Sequence, residues 1–146
     1  SRAEVDLFVF KGKSKDDDVL ITSLLQERLQ PAERIKVVQY DPDPRSVLAQ
    51  VAHCDAFVGM RYHACLFAYL NNIPLLIIDY HPKCGALANE IGLPKQAVVS
   101  LEDVLNRQFY ERLENLVNSH SDFCAILPVG LARKRARDGI TKVKLT

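Results

Sequence analysis

The sequence predicts an α/β fold, a doubly wound parallel sheet of about five strands, on three observations. Short β-branched apolar runs alternate with stretches of helical period from Val5 to Val117. The run Pro74-Leu-Leu-Ile-Ile78 is apolar without interruption, as a parallel strand covered on both faces requires. The order βαβαβαβαβα is unbroken, which implies right-handed crossovers and puts ligands outside the carboxyl ends of the strands.

Val5 to Phe10 is the first strand. Behind Asp16, Asp17 and Asp18, which suit a helix cap and first turn, Leu20, Leu24, Leu25 and Leu29 recur at helical spacing. Arg34 to Tyr40 repeats the strand signal, and Asp41-Pro-Asp-Pro44 is a turn that opens a helix through Ser46 to Ala52. Ala56 to Val58 is a short strand, Gly59 its turn, and Ala64 to Leu70 a helix with no polar face, ending near Asn71 and Asn72. Pro74 to Ile78 reads as the central strand and Asp79 to Lys83 as its loop. Gly85 to Ile91 is a helix stopped by Gly92 and Pro94, Ala97 to Val99 a strand, and Leu101 to Val117 a long last helix. No repeat, low-complexity stretch or linker interrupts residues 1–120, which read as one domain; 121–146 reads as a basic extension.

A chain of 146 residues, 48% hydrophobic, fits one compact domain that buries about two thirds of its unfolded surface. With 19 basic and 18 acidic residues the net charge is +1, which argues against wholesale capture of nucleic acid or membrane, so anion binding has to be local. No apolar run approaches the roughly 20 residues of a membrane span. The start Ser1-Arg-Ala-Glu lacks the regions of a signal peptide. Cys54, Cys65, Cys84 and Cys124 form no C-x-x-C pair and read as reduced thiols of a cytoplasmic protein.

The loops after strands, Lys11 to Lys15, Asp41 to Pro44, Gly59 to His63 and Asp79 to Lys83, make the expected functional surface. Arg61 and His63 stand at the mouth of an apolar strand-to-helix transition, where free backbone N–H groups and the helix dipole attract an anion. A guanidinium there can hold a carboxylate or phosphate, and an imidazole can move a proton near neutral pH. The plainer reading pairs Arg61 with an acid and makes His63 a hydrogen-bonded core residue. Lys83 stands just before a helix that starts near Cys84, a place suited to a cation only with an anion between, unless it simply extends into water. Gly12-Lys13-Ser14 is no phosphate loop, because the required earlier glycine is Leu7, and no G-x-G-x-x-G follows a strand. His81-x-x-Cys84 and His63-x-Cys65 match no structural zinc spacing, so neither metal nor cofactor is expected. Arg133-Lys-Arg-Ala-Arg137 is the one basic cluster; it suits a phosphate backbone, anionic lipid, a solvated helix end or a face for another domain.

Three segments carry a family likeness: Phe57-Val-Gly-Met-Arg-Tyr-His-Ala-Cys-Leu-Phe-Ala68, Ile73-Pro-Leu-Leu-Ile-Ile-Asp-Tyr-His-Pro-Lys83 and Ala88-Asn-Glu-Ile-Gly-Leu93. Together the chain resembles the polysaccharide pyruvyl transferase family, whose pattern is approximately VVGMRLHA, then a proline-led strand, YDPK and a glycine-leucine helix stop. The likeness covers residues 56–93 in motif and about 1–105 in arrangement. It implies the carboxyl-terminal Rossmann-like half of a GT-B fold with the other half as a missing partner, residues 121–146 packing on the domain or on that absent half. It further implies transfer of a pyruvyl group from phosphoenolpyruvate to a sugar or glycan diol as a ketal, without cofactor, metal or nucleic acid, and an isolated chain that does not turn over. Arg61 would bind the carboxylate or phosphate and His63 act as general acid and base, with Lys83 supporting the anion and Gly59, Met60, Tyr62, Tyr80 and His81 lining the substrate. Tyr62 replaces the family's usual leucine, and His81 stands where it commonly has aspartate. The alternatives are a GT-B half that binds a nucleotide sugar and a non-catalytic domain that docks a partner.

Overall fold

A computed structural model describes residues 4–11, 18–28 and 34–143. Gly12, Lys13, Ser14, Lys15, Asp16, Asp17 and Leu29 lie outside them. Six helices and five strands are described, and all strand pairs are parallel: β1 (Val5–Phe8) with β2 (Ile35–Val38), and β3 (Phe57–Gly59) with β4 (Leu75–Asp79) and β5 (Val98–Ser100) in the order β3-β4-β5. The chain divides into two compact units, residues 1–46 and 47–146.

In the first unit β1 and β2 run in register from Val5 opposite Ile35 to Phe8 opposite Val38. Helix α1 (Asp18–Arg28) begins on Asp18, whose carboxylate accepts from the Phe10 amide, fixing the helix start against the strand end. Asp41 and Asp43 spend their carboxylates locally: each accepts from the backbone N–H two residues on, at 2.8 and 3.0 Å, which shapes the turn into α2 (Pro44–Val51). The Ser46 hydroxyl and then the Asp43 amide lower the Asp41 pKa.

In the second unit β4 is central, as its unbroken apolar run requires. Leu76 faces a cluster with Ala97, Val99, Leu116 and Phe123, against which Ala56, Leu93, Phe109 and Leu113 pack. Strand alternation turns Leu75 and Ile77 to the other face, where α3 (Tyr62–Leu70) and α4 (Pro82–Ile91) pack on β4. Covered on both sides, Leu75, Leu76 and Ile77 are all but inaccessible. Helix α3 ends through Asn71 and Asn72, the latter left-handed at φ 57°, and α4 ends on Gly92 at φ 65°, the conformation glycine adopts without penalty.

Several boundaries differ from the sequence expectation; β1 and β2 are shorter, α2 and α3 each start two residues earlier, at Pro44 and Tyr62, and the larger differences lie further along. Helix α4 starts at Pro82, not Gly85, because His81 caps it and proline suits the first helical position. Leu101–Val117 is not one helix: Glu102–Leu105 is a 3-10 turn and α5 (Arg107–Asn118) begins behind Asn106, whose side chain accepts from the Phe109 amide. The basic extension contains a helix, α6 (Val129–Val143), and the segment before it is anchored in the core by Phe123, 1% exposed. The Tyr69 hydroxyl donates to the Leu127 carbonyl at 2.9 Å, and the Leu127 amide donates to the Ile91 carbonyl, which ties residues 123–128 to α3 and α4 within the second unit.

Candidate functional site

Gly59 lies opposite Ile77 in the ladder, and β4 continues two residues further, to Asp79. Parallel neighbours end at one edge of a sheet, so the loops Gly59–His63 and Asp79–Lys83 leave it side by side. A hydrogen bond stitches them: the Cys84 thiol donates to the Met60 carbonyl at 3.3 Å.

Under the loops sit two cysteines, 0% and 1% exposed. Burial, and then the neighbouring Cys84 thiol, pushes Cys65 up to about 12. Burial, and then the Asp79 charge, raises Cys84. Both are free thiols that stay protonated at neutral pH, so their contribution is packing and hydrogen bonding rather than nucleophilic chemistry. Gly59 is glycine because of this thiol layer: a Cβ there would lie 2.6 Å from Cys65 Sγ.

Arg61 is the cap residue of α3, extended at φ −98°, ψ 138°, and makes no side-chain cap on its own helix. It is half-buried, as is Tyr62. His63 is an exposed residue of the first helical turn, edge-on to the Tyr62 ring with centroids 5.4 Å apart. The core-histidine reading of His63 therefore falls. The Met60 side chain is exposed while its carbonyl serves the stitch.

The second loop is built differently. Its cap residue, His81, accepts at Nδ1 from the Lys83 amide at 3.3 Å. The bond requires an unprotonated Nδ1, so a neutral ring carries its hydrogen on Nε2. An aspartate performs the same capping with a carboxylate oxygen. His81 thus does the capping that a carboxylate could do and also carries an N–H donor. Tyr80 is 42% exposed, its ring tilted on His81 at 6.1 Å. Lys83 is exposed and lies inside the first turn of α4, a correction to its placement before the helix.

Sequence reasoning assigned no role to Asp79. Its half-buried carboxylate covers the first turn of α4, with Oδ2 2.6 Å from the position a Cβ of residue 85 would take. A negative charge is favoured at a helix amino end. The available signal was Gly85: glycine inside a helix costs about 1 kcal/mol relative to alanine, so it marks a close approach.

These residues share the carboxyl edge of β3 and β4. The cavity of about 160 Å³ lined by Tyr69, Ile73, Leu75, Ile91 and Leu127 lies at the opposite, amino end of β4, away from them. Among the described residues no three His, Cys, Asp or Glu side chains group to hold a metal, and no helix is long and apolar enough to cross a membrane.

The family model described as polysaccharide pyruvyl transferase matches residues 2–82, more than half of the chain, including the first loop and all but the last residue of the second. Comparison with curated proteins and with solved structures returns no match.

Proposed function

Since the chain belongs to the polysaccharide pyruvyl transferase family, we propose that it supplies the carboxyl-terminal, Rossmann-like half of a GT-B-type enzyme that transfers a pyruvyl group from phosphoenolpyruvate to a sugar diol. Residues 1–120 would form the Rossmann-like domain and 121–146 the extension that packs on it. The work belongs in the cytoplasm, where four free thiols persist.

The observation that carries the reading is the Cys84–Met60 stitch, which ties the Arg61–His63 loop to the Tyr80–Lys83 loop at one edge of the sheet. An anion there would meet the amino end of α3, the Arg61 guanidinium and the Lys83 ammonium. In the reaction the methylene carbon of phosphoenolpyruvate gains a proton and its neighbour becomes electrophilic. One sugar hydroxyl forms a bond to that carbon and loses its proton; the carbon–oxygen bond to phosphate then breaks, and the second hydroxyl closes the ketal. One proton ends on the new methyl group and one on the released phosphate, so the sum balances. His63, exposed at the loop mouth, is suited to give the proton that reaches the methylene carbon and to regain one from a sugar hydroxyl, while the other hydroxyl proton leaves on the phosphate. Arg61 stabilises the carboxylate and the departing phosphate.

The test follows phosphate release and ketal mass in the complete protein with phosphoenolpyruvate and a sugar diol. His63→Ala should remove turnover while leaving the thermal midpoint in place. Turnover equal to that of the unmodified enzyme would sink the assignment.

A further inference from the structure

Helix α6 is the strongest charged feature that the pyruvyl-transfer reading leaves unused. It carries Arg133, Lys134, Arg135, Arg137 and Lys142 against one acid, Asp138, while the whole chain is only +1. The rest of the molecule is therefore net negative, and α6 concentrates the positive charge. With about 100° per residue, Val129, Ala132 and Ala136 share one side of the helix, and Leu131, Lys134, Arg135 and Asp138 the other. Burial agrees at the helix start: Val129 is 8% exposed and Ala132 half-buried, whereas Leu131 is 43% exposed and Lys134 and Arg135 are exposed.

We infer that the outer face of α6 docks the protein on an anionic membrane surface, with Lys134 and Arg135 on lipid headgroups and Leu131 entering the interface. Charge complementarity favours a polyanion, and the exposed leucine chooses between polyanions. A leucine beside cations suits the boundary between headgroups and acyl chains, where lysine and arginine stems lie along the apolar layer and their charges reach the phosphates. Single-stranded nucleic acid would call for aromatic platforms, and α6 has no aromatic residue. The contact is peripheral, since no described helix is long and apolar enough to span a bilayer.

The test is co-sedimentation of the full chain with vesicles of phosphatidylcholine alone and with vesicles of about three parts phosphatidylcholine to one part phosphatidylserine. Binding should require phosphatidylserine and weaken as salt is raised. Replacing both Lys134 and Arg135 by glutamine should weaken it roughly five-fold per lost charge, with an unchanged circular dichroism spectrum. Leu131→Ser should weaken it further at equal charge. Absence of binding to the anionic vesicles, equal binding to neutral ones, or complete displacement by single-stranded RNA would overturn the inference. The salt titration uses the unmodified protein and decides the matter even where a variant fails to fold.

Discussion

The β3–α3 and β4–α4 junctions share a plan and are finished differently. In each a strand gives way to a two-residue step that ends in an extended cap residue, Arg61 or His81, then to a helix with a buried cysteine in its first turn. At α4 the cap side chain turns back and takes the Lys83 amide, and Asp79 covers the same turn with a carboxylate. At α3 Arg61 makes no such cap, and the strand ends on a glycine pressed against Cys65. The difference is a division of labour. At the α4 turn the cap side chain takes a backbone donor of its own helix, whereas the α3 turn receives no side-chain cap from Arg61, which is why the proposed anion role falls to α3.

Substituting the two histidines tests that division most strongly. In the complete enzyme His63→Ala should lower ketal formation by about 10²-fold or more, the usual contribution of a general acid-base group. His81→Ala should leave most of the rate. Equal losses in a phosphate-release assay would break the comparison. On stability the order reverses toward the strand ends. Gly59→Ala forces a Cβ onto Cys65 Sγ and should cost about 1–3 kcal/mol in a urea titration. Gly85→Ala meets only the rotatable Asp79 carboxylate and should cost less, and adding Asp79→Ala should recover the loss.

The thiol layer under both junctions gives a pH signature. The folded pKa of Cys65 is raised from 9.0 to about 12, so its contribution is complete below pH 9 and disappears as pH climbs toward 12. By pH 10 the loss should reach about 1 kcal/mol, and Cys65→Ala should flatten that part of the stability profile. An unaltered slope in the variant would show that the thiol does not carry it. In a timed alkylation read by mass, the exposed Cys124 should react first and Cys65 and Cys84 only on unfolding.

The element order was legible because burial imposes period: an uninterrupted Leu75–Ile78 can only be a covered strand, and an α3 without a polar face only a buried helix. Arg61 and His63 stood out for the same reason, as polar residues in an apolar stretch. The boundaries that failed are those where side chains compete with the helix. Ser100 accepts from the Asp103 amide and Asn106 from Phe109, which divides the expected helix after β5. Histidine is not among the preferred caps, so the pattern places the start of α4 at Gly85, three residues after Pro82. The Cys84–Met60 bond and the Asp79–Gly85 contact were hidden because both depend on packing between neighbouring elements, which no local pattern encodes.

The smallest effect is also the one that isolates capping from charge. His81→Ala removes one acceptor from the α4 amino end and should cost on the order of 1 kcal/mol. His81→Asp restores the acceptor, adds a negative charge that the helix dipole favours, and should recover the stability or exceed it. The same variant loses the Nε2–H and puts a carboxylate beside the proposed anion site. If His81 only caps, the aspartate enzyme should keep the KM for phosphoenolpyruvate of the unmodified one. If the ring also faces the substrate, that KM should rise although the fold is more stable. A stability gain together with a KM increase would move His81 from the holding junction to the receiving one.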